Sequence, residues 1–264
     1  SSLDAATKYP WRLSRASEFG SLTKFGAYDD DLEVFEWMRQ GAPEGIKCVE
    51  AQIMDFADDV AYSAHDFEDS IVEGFVNPAD LSDPSSDVGL IEEISKWSDG
   101  ELSRSDLEVA LASLRSSLHW LQTFDGSAQH LAKLKNLTSD LIGSFVSRTT
   151  DAILAAAASK SLARYRAGVI VPVKVRSEIA VLKGIVASAV MTHNSRQPYY
   201  EQQRELLIEL ADAMLGKNGA ELDPVAKELW DKCESDRARK RVIVDFVASL
   251  TDPAAIALHS RVCA

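Results

Sequence analysis

The chain has 264 residues, 46% of them hydrophobic, enough to bury a sizeable core as one large or two modest domains. Its formal net charge of −13 argues against a general nucleic-acid binder, whose non-specific affinity rests on Lys and Arg, but a local basic pocket or a carboxylate-held metal still admits an anionic small substrate. No apolar run is long enough to span a membrane, the N-terminal SSLDAATKYPW lacks a signal-peptide layout, and Cys48, Cys233 and Cys263 are too scattered for a disulfide framework, so a soluble cytoplasmic protein is expected.

Helical periodicity dominates, and the expected fold is all-α. After an N-terminal segment closed by Pro10, residues 29–40 (DDDLEVFEWMRQ) put acids first and Arg39 last, the order a helix dipole favours. The break GAPEG precedes an acidic helix predicted over about 46–74. Residues 77–106, rich in Pro, Ser, Asp and Gly, read as a loop or linker with one short helix around Ile91. Residues 105–165 read as two or three helices, in which the small-residue run AILAAAAS at 152–159 is expected to be a buried seam. VIVPVKV at 169–175 is the one strand-like run, confined by Pro172 to a sheet edge or an extended connector. Helices are predicted over about 177–192, 196–215, 223–233 and 236–250, then a short terminal helix with Asp252 as N-cap and Pro253 as its first residue.

The acidic helix carries no Lys or Arg between Glu50 and Glu73. On a wheel advancing about 100° per residue with Asp58 at zero, His65, Asp69, Tyr62, Asp55, Asp66 and Asp59 fall on one arc from about −20° to +100°. Ile53, Phe56, Val60, Ala64, Phe67 and Ile71 fall on the opposite arc and are expected to face a core. Like charges one turn apart destabilise an isolated helix, and a solvated face ordinarily intersperses lysines. The arc is therefore either an exposed surface with coincidental spacing or a face that meets a divalent cation, basic groups from elsewhere in the fold, or ligand hydroxyls. Tyr62, one turn from both Asp58 and Asp66, offers a ring to stack and a phenol to donate, which suits a sugar or base; it equally suits packing on a neighbouring loop. The dipeptide His65-Asp66 does not by itself make a metal dyad. Asp55, Asp59 and Asp69 stand as lysine-pairing or supporting carboxylates, and Glu68 is expected at the surface.

Four strings in order, LDAATKYPW, KFGAYDDD, CVEAQIMDFADDVAYSAHDFEDSI and RVIVDFVASLTD, resemble the deoxyguanosinetriphosphate triphosphohydrolases and their relatives among the HD-domain metal-dependent phosphohydrolases. The resemblance covers nearly the whole chain and is strongest before residue 75 and at 237–252. It implies a multi-helix HD-domain-like bundle, with 1–76 as the C-terminal part of the catalytic domain, 77–106 as loop or linker and 107–264 as a helical C-terminal region. In that family a His, a His-Asp pair and a final Asp hold the metal, the last in a motif matching ADDVAY. Carried over, Asp58 resembles the final ligand of a divalent metal, Mg²⁺ or Mn²⁺. Tyr62 resembles the residue beneath the deoxyribose, and Asp66 a carboxylate near the sugar 3′-hydroxyl. Lys8, Lys24 and Arg241 resemble residues that meet the triphosphate; read from sequence alone, Lys8 and Lys24 are ordinary solvated lysines, and the cluster of Arg237, Arg239 and Lys240 beside Arg241 equally suits a solvated basic helix start.

The family's first histidine and its His-Asp pair belong upstream of LDAATKYPW, and none of His65, His119, His130, His193 or His259 lies in such a context. The expectation is the C-terminal part of a longer enzyme, completed by an N-terminal portion or companion fragment that carries the His and His-Asp, and inactive alone. For the complete enzyme the resemblance implies a homo-oligomer that hydrolyses dGTP or another deoxynucleoside triphosphate to the deoxynucleoside and triphosphate. The metal would serve as Lewis acid, and lysines and arginines would neutralise the leaving group. The rival reading is a non-catalytic helical module for nucleotide binding or assembly. A generic helical adaptor explains neither the lysine-free stretch nor the ordered strings.

Overall fold

The structure, a computed structural model, describes residues 2–20, 23–82, 87–97, 102–157, 163–192 and 197–263. Through these residues the fold is all-α: α1 (Leu32–Met38), α2 (Val49–Val72), α3 (Asp87–Trp97), α4 (Arg104–Arg115), α5 (Ala128–Ala157), α6 (Val173–Thr192), α7 (Gln197–Gly216), α8 (Pro224–Asp231), α9 (Asp236–Ala248) and α10 (Asp252–Val262), with short 3-10 turns before α1. No described helix is long and apolar enough to cross a membrane. The chain divides into two compact units, Ser1–Thr192 and His193–Ala264.

In the first unit α6 packs against α2, α3 and α4, and α5 packs along α2. Their shared core takes Val60, Phe67 and Ile71 from α2, Ile91 and Ile94 from α3, Leu107 and Leu111 from α4, Leu134 and Phe145 from α5, and Val175 and Leu182 from α6. Burying each such side chain is worth roughly 1.5–3 kcal/mol, which explains why α3 forms within the Pro- and Ser-rich stretch 77–106. Ile91 and Ile94, one turn apart and fully buried, outweigh the poor helix propensity around them. The second unit has its own core of Leu210, Met214, Trp230, Ile243 and Leu258, formed where α7 meets α9 and α10 and where α8 meets α9.

The ends of α2 follow from local chemistry. Cys48, the residue before it, has no side-chain cap, and the first helical N–H, that of Val49, donates instead to the Arg164 carbonyl at 2.7 Å. At the other end Gly74 takes the left-handed conformation, φ +77°, and its N–H donates to the Ile71 carbonyl.

Four expectations are corrected. Of the two settings expected for VIVPVKV the connector is the one found, over 169–172, but 173–175 are not part of it and begin α6, whose early N–H at Arg176 bonds the Pro172 carbonyl at 3.0 Å. Pro172 lacks an N–H but keeps its acceptor, so it suits the position before a helix better than a sheet. The described part of the small-residue run, 152–157, is exposed or half-buried, with Leu154 61% exposed. The last buried side chain of α5 is Thr149; beyond it Ile153 and Leu154 border an open groove beside α2 rather than a filled core. Residues 158 and 159 of that run lie outside the described residues. Glu68 is buried, 3% exposed, rather than at the surface. In α10 Thr251 is the N-cap, without a side-chain bond, and Asp252 is already helical.

Candidate functional site

The strings around Lys8 and Lys24 come together through backbone. The Gly26 N–H donates to the Trp11 carbonyl at 2.8 Å, the Leu13 N–H to the Ala27 carbonyl at 3.0 Å, and the Trp11 indole N–H to the Lys24 carbonyl at 2.7 Å. Gly26 is required by this approach, since a Cβ there would lie 2.1 Å from the Tyr9 carbonyl oxygen.

That junction delivers Lys8 to α2. Its ammonium lies 2.9 Å from Asp58 Oδ2 and 3.0 Å from Asp55 Oδ1, and Lys47 reaches Asp55 Oδ2 at 2.5 Å. Hydrogen bonds to the two carboxylates hold the Lys8 pKa well above the ordinary lysine range. For Asp55, partial burial pushes the carboxyl pKa up, but the bonds from Lys47 and Lys8 outweigh it and leave the pKa below the usual carboxylate range. One turn on, Lys183 of α6 pairs with Asp59 at 2.8 Å. Asp55 and Asp59, with Gln52, Arg176 and Lys183, border a cleft of about 360 Å³ between α2 and α6. Basic groups from elsewhere in the fold therefore answer much of the lysine-free acidic stretch.

The outer part of the arc faces solvent. Tyr62, one turn along from Asp58, is 60% exposed, and Asp66, two turns along, is exposed. Lys24 lies in the exposed loop before α1. Arg241 belongs to α9 in the second unit, where its Nε bonds both carboxylate oxygens of Asp245 at 2.8 and 2.7 Å.

Sequence reasoning missed three partners. Lys47 precedes α2 and reaches back over it, and Lys183 comes from α6; neither has a local sequence signature. The third is the buried contact of Glu68, which accepts from the Thr138 hydroxyl at 2.7 Å and pairs with Lys135.

Among the described residues no three of His, Cys, Asp and Glu gather as a metal ion would require. His119 pairs with Asp140, His130 with Asp125, His259 with Glu209, and His65 lies 3.9 Å from Glu68; His193 is outside the described residues. Asp58 presents one carboxylate with a lysine ammonium against it, so the chain's own donors do not fit a metal ion by themselves.

Residues 169–261 match the family described as phosphohydrolase-associated domain. The chain is 42% identical to a deoxyguanosinetriphosphate triphosphohydrolase-like protein of Streptomyces coelicolor, over 98% of this chain and 61% of that protein. It is 38% identical to one from Bifidobacterium longum, over 99% of this chain and 56% of the relative, and 36% identical to one from Corynebacterium diphtheriae, over 95% and 59%. The chain thus spans somewhat more than half the length of these curated relatives. Along almost its whole length the chain is related to deoxyguanosinetriphosphate triphosphohydrolase-like proteins, and its residues 169–261 form a match to the phosphohydrolase-associated domain.

Proposed function

We propose that the chain is part of a metal-dependent triphosphohydrolase that converts dGTP or another deoxynucleoside triphosphate to the deoxynucleoside and triphosphate, and that it is inactive alone. The observation that carries this reading is the row Asp58, Tyr62 and Asp66 along one side of α2, with Lys8 2.9 Å from Asp58, in a chain related along almost its whole length to dGTPase-like proteins. Residues 1–76 would be the C-terminal part of the catalytic domain, 77–106 a connecting segment and 107–264 the helical C-terminal region.

In this reading the chain supplies one wall of the site. The Tyr62 ring lies beneath the deoxyribose and leaves no room for a 2′-hydroxyl, and the Asp66 carboxylate accepts from the 3′-hydroxyl. Lys8 and Lys24 neutralise the triphosphate. Asp58 offers one carboxylate toward a divalent ion, Mg²⁺ or Mn²⁺. The other ligands come from an N-terminal portion or companion fragment with the His and His-Asp. This chain's residues bind and orient the substrate, and the hydrolytic step waits on that second portion. The complete protein is proposed to be a cytoplasmic homo-oligomer.

The protein completed by its second portion should release triphosphate from dGTP with Mn²⁺ or Mg²⁺. Asp58→Asn should cut the rate by more than about 100-fold, beyond the scale at which outer partners of metal ligands act. Tyr62→Ala should relax discrimination against ribonucleotides; unchanged discrimination would reject the steric account. A second reading, a non-catalytic nucleotide-binding or assembly module, is favoured by the ammonium of Lys8 already neutralising Asp58. Nucleotide binding without triphosphate release from the complete protein would decide for it.

A further inference from the structure

The apolar stripe of α2 is buried from Val60 to Ile71 but opens at its first turns, where Ile53 is 49% exposed and Phe56 is half-buried. Across from it on α5, Val146 is 48% and Leu154 61% exposed. These side chains border one groove of about 470 Å³ between α2 and α5, whose lining is apolar except for Thr149 and Thr150. A contiguous apolar surface of this kind marks a place where another surface docks.

Two observations identify the occupant. Ala57 and Ala61 line the groove and are chain neighbours of Asp58 and Tyr62, so whatever fills it lies beside the proposed site. The chain also spans only 61% of the Streptomyces coelicolor protein and 56% of the Bifidobacterium longum one, leaving roughly two fifths of each relative outside it. We propose that a helix from that outside portion of a dGTPase-like protein seats its apolar face in the α2–α5 groove and so brings the second wall of the site against Asp58. This rests on the reading of the chain as part of such a hydrolase. The groove runs from Ile53 to Ala61 on α2 and from Ile142 to Leu154 on α5. At about 1.5 Å per residue it is about 12–18 Å long, room for two to three turns with aliphatic side chains at i, i+3 or i+4, and i+7.

The test is to co-express the chain with the portion of the Streptomyces coelicolor protein outside the matched region, tag one partner, and measure co-purification and affinity. A stable complex is expected. Ile53→Asp, Val146→Asp and Leu154→Asp should each weaken it by about tenfold or more, whereas Val109→Asp, at a 57% exposed position on α4, should leave it within about twofold. All four positions are exposed, and circular dichroism verifies that each variant is folded. No complex, a complex indifferent to the groove substitutions, or a groove-dependent homodimer in its place overturns the proposal. Triphosphate release by the complex, assayed with dGTP and Mn²⁺, separates the two readings. A groove-dependent complex that releases none rejects the hydrolase and keeps the docking; release that survives the groove substitutions rejects the docking alone.

Discussion

Glu68 sits where α2 meets α5, 3% exposed, with the Thr138 hydroxyl and the Lys135 ammonium on its two oxygens. Burial pushes its pKa up, but the bonds from Lys135 and Thr138 more than offset this and leave it below the usual glutamate range. A carboxylate whose folded pKa is depressed stabilises the fold above its unfolded pKa, and that contribution is lost as pH falls through the folded value. Glu68→Gln should therefore cost about 1–3 kcal/mol at pH 7. In denaturant titrations the gap to the unsubstituted protein should narrow below the ordinary glutamate range; a gap independent of pH would show that charge is not what Glu68 contributes. No local signal marks this contact, because a helical wheel orders residues around α2 without saying which neighbour packs at its edge. That Asp58, Tyr62 and Asp66 share one side of α2 is legible for the opposite reason: their one-turn spacing is a local property of the helix. Lys8 was singled out only through a family string, and Lys47 and Lys183 not at all, since tertiary packing alone brings them to Asp55 and Asp59.

Two glycines act at the level of elements, one ending a helix and one joining two loops. At Gly74, φ is +77° and a Cβ would meet nothing within 4 Å, so Gly74→Ala should cost only the left-handed backbone strain, about 1–2 kcal/mol. At Gly26 a Cβ would lie 2.1 Å from the Tyr9 carbonyl oxygen, so Gly26→Ala must part the two loops, at about 1–3 kcal/mol, and shift the neighbouring Lys8. Urea titrations give both costs, and in the hydrolase proposed above Gly26→Ala alone should raise KM for dGTP. Equal KM values for the two variants would mean that the junction does not position Lys8. Helix starts were legible at α8, where Asp223 before Pro224 is the cap, and at α9, where Ser235 is, but the same Asp-Pro pair at 252–253 falls one residue inside α10. Burial is not legible at 152–157, where small apolar residues imply a core but Ile153 and Leu154 border an open groove, nor is the helix start at 173–175, where valines that suit a strand belong to α6.

Across the first unit, distant segments are fastened at Asp4. Its side chain is fully buried and accepts from Arg39 Nη1 and from the Tyr165 hydroxyl, each at 2.6 Å, while Arg39 Nη2 caps the carbonyls of Pro43 and Ile46. The N-terminal turn, the loop after α1 and the approach to α6 thereby close around the start of α2, which holds the proposed site in place. Nothing in the sequence marks Asp4 apart from the other acids, because its role depends on Arg39 and Tyr165 converging from far along the chain. The two separate cores are likewise a property of packing that composition cannot display. Asp4→Ala leaves the Arg39 guanidinium buried without its carboxylate and should cost about 3–5 kcal/mol, whereas Asp4→Asn keeps an acceptor and should cost less. Burial and the bond to Asp4 raise the Tyr165 pKa to about 12 from an ordinary 10.0. A phenol whose folded pKa is raised contributes stability that is complete below the unfolded pKa and disappears as pH rises through the folded one, so unfolding should become easier between pH 10 and 12. In a spectrophotometric titration one tyrosine should ionise last, near pH 12, and Asp4→Asn should draw it part of the way back toward 10, the remainder being the burial that the substitution leaves intact. If the late tyrosine does not move in Asp4→Asn, burial alone retains its proton, and the closure of this unit around α2 must rest on Arg39 rather than on Tyr165.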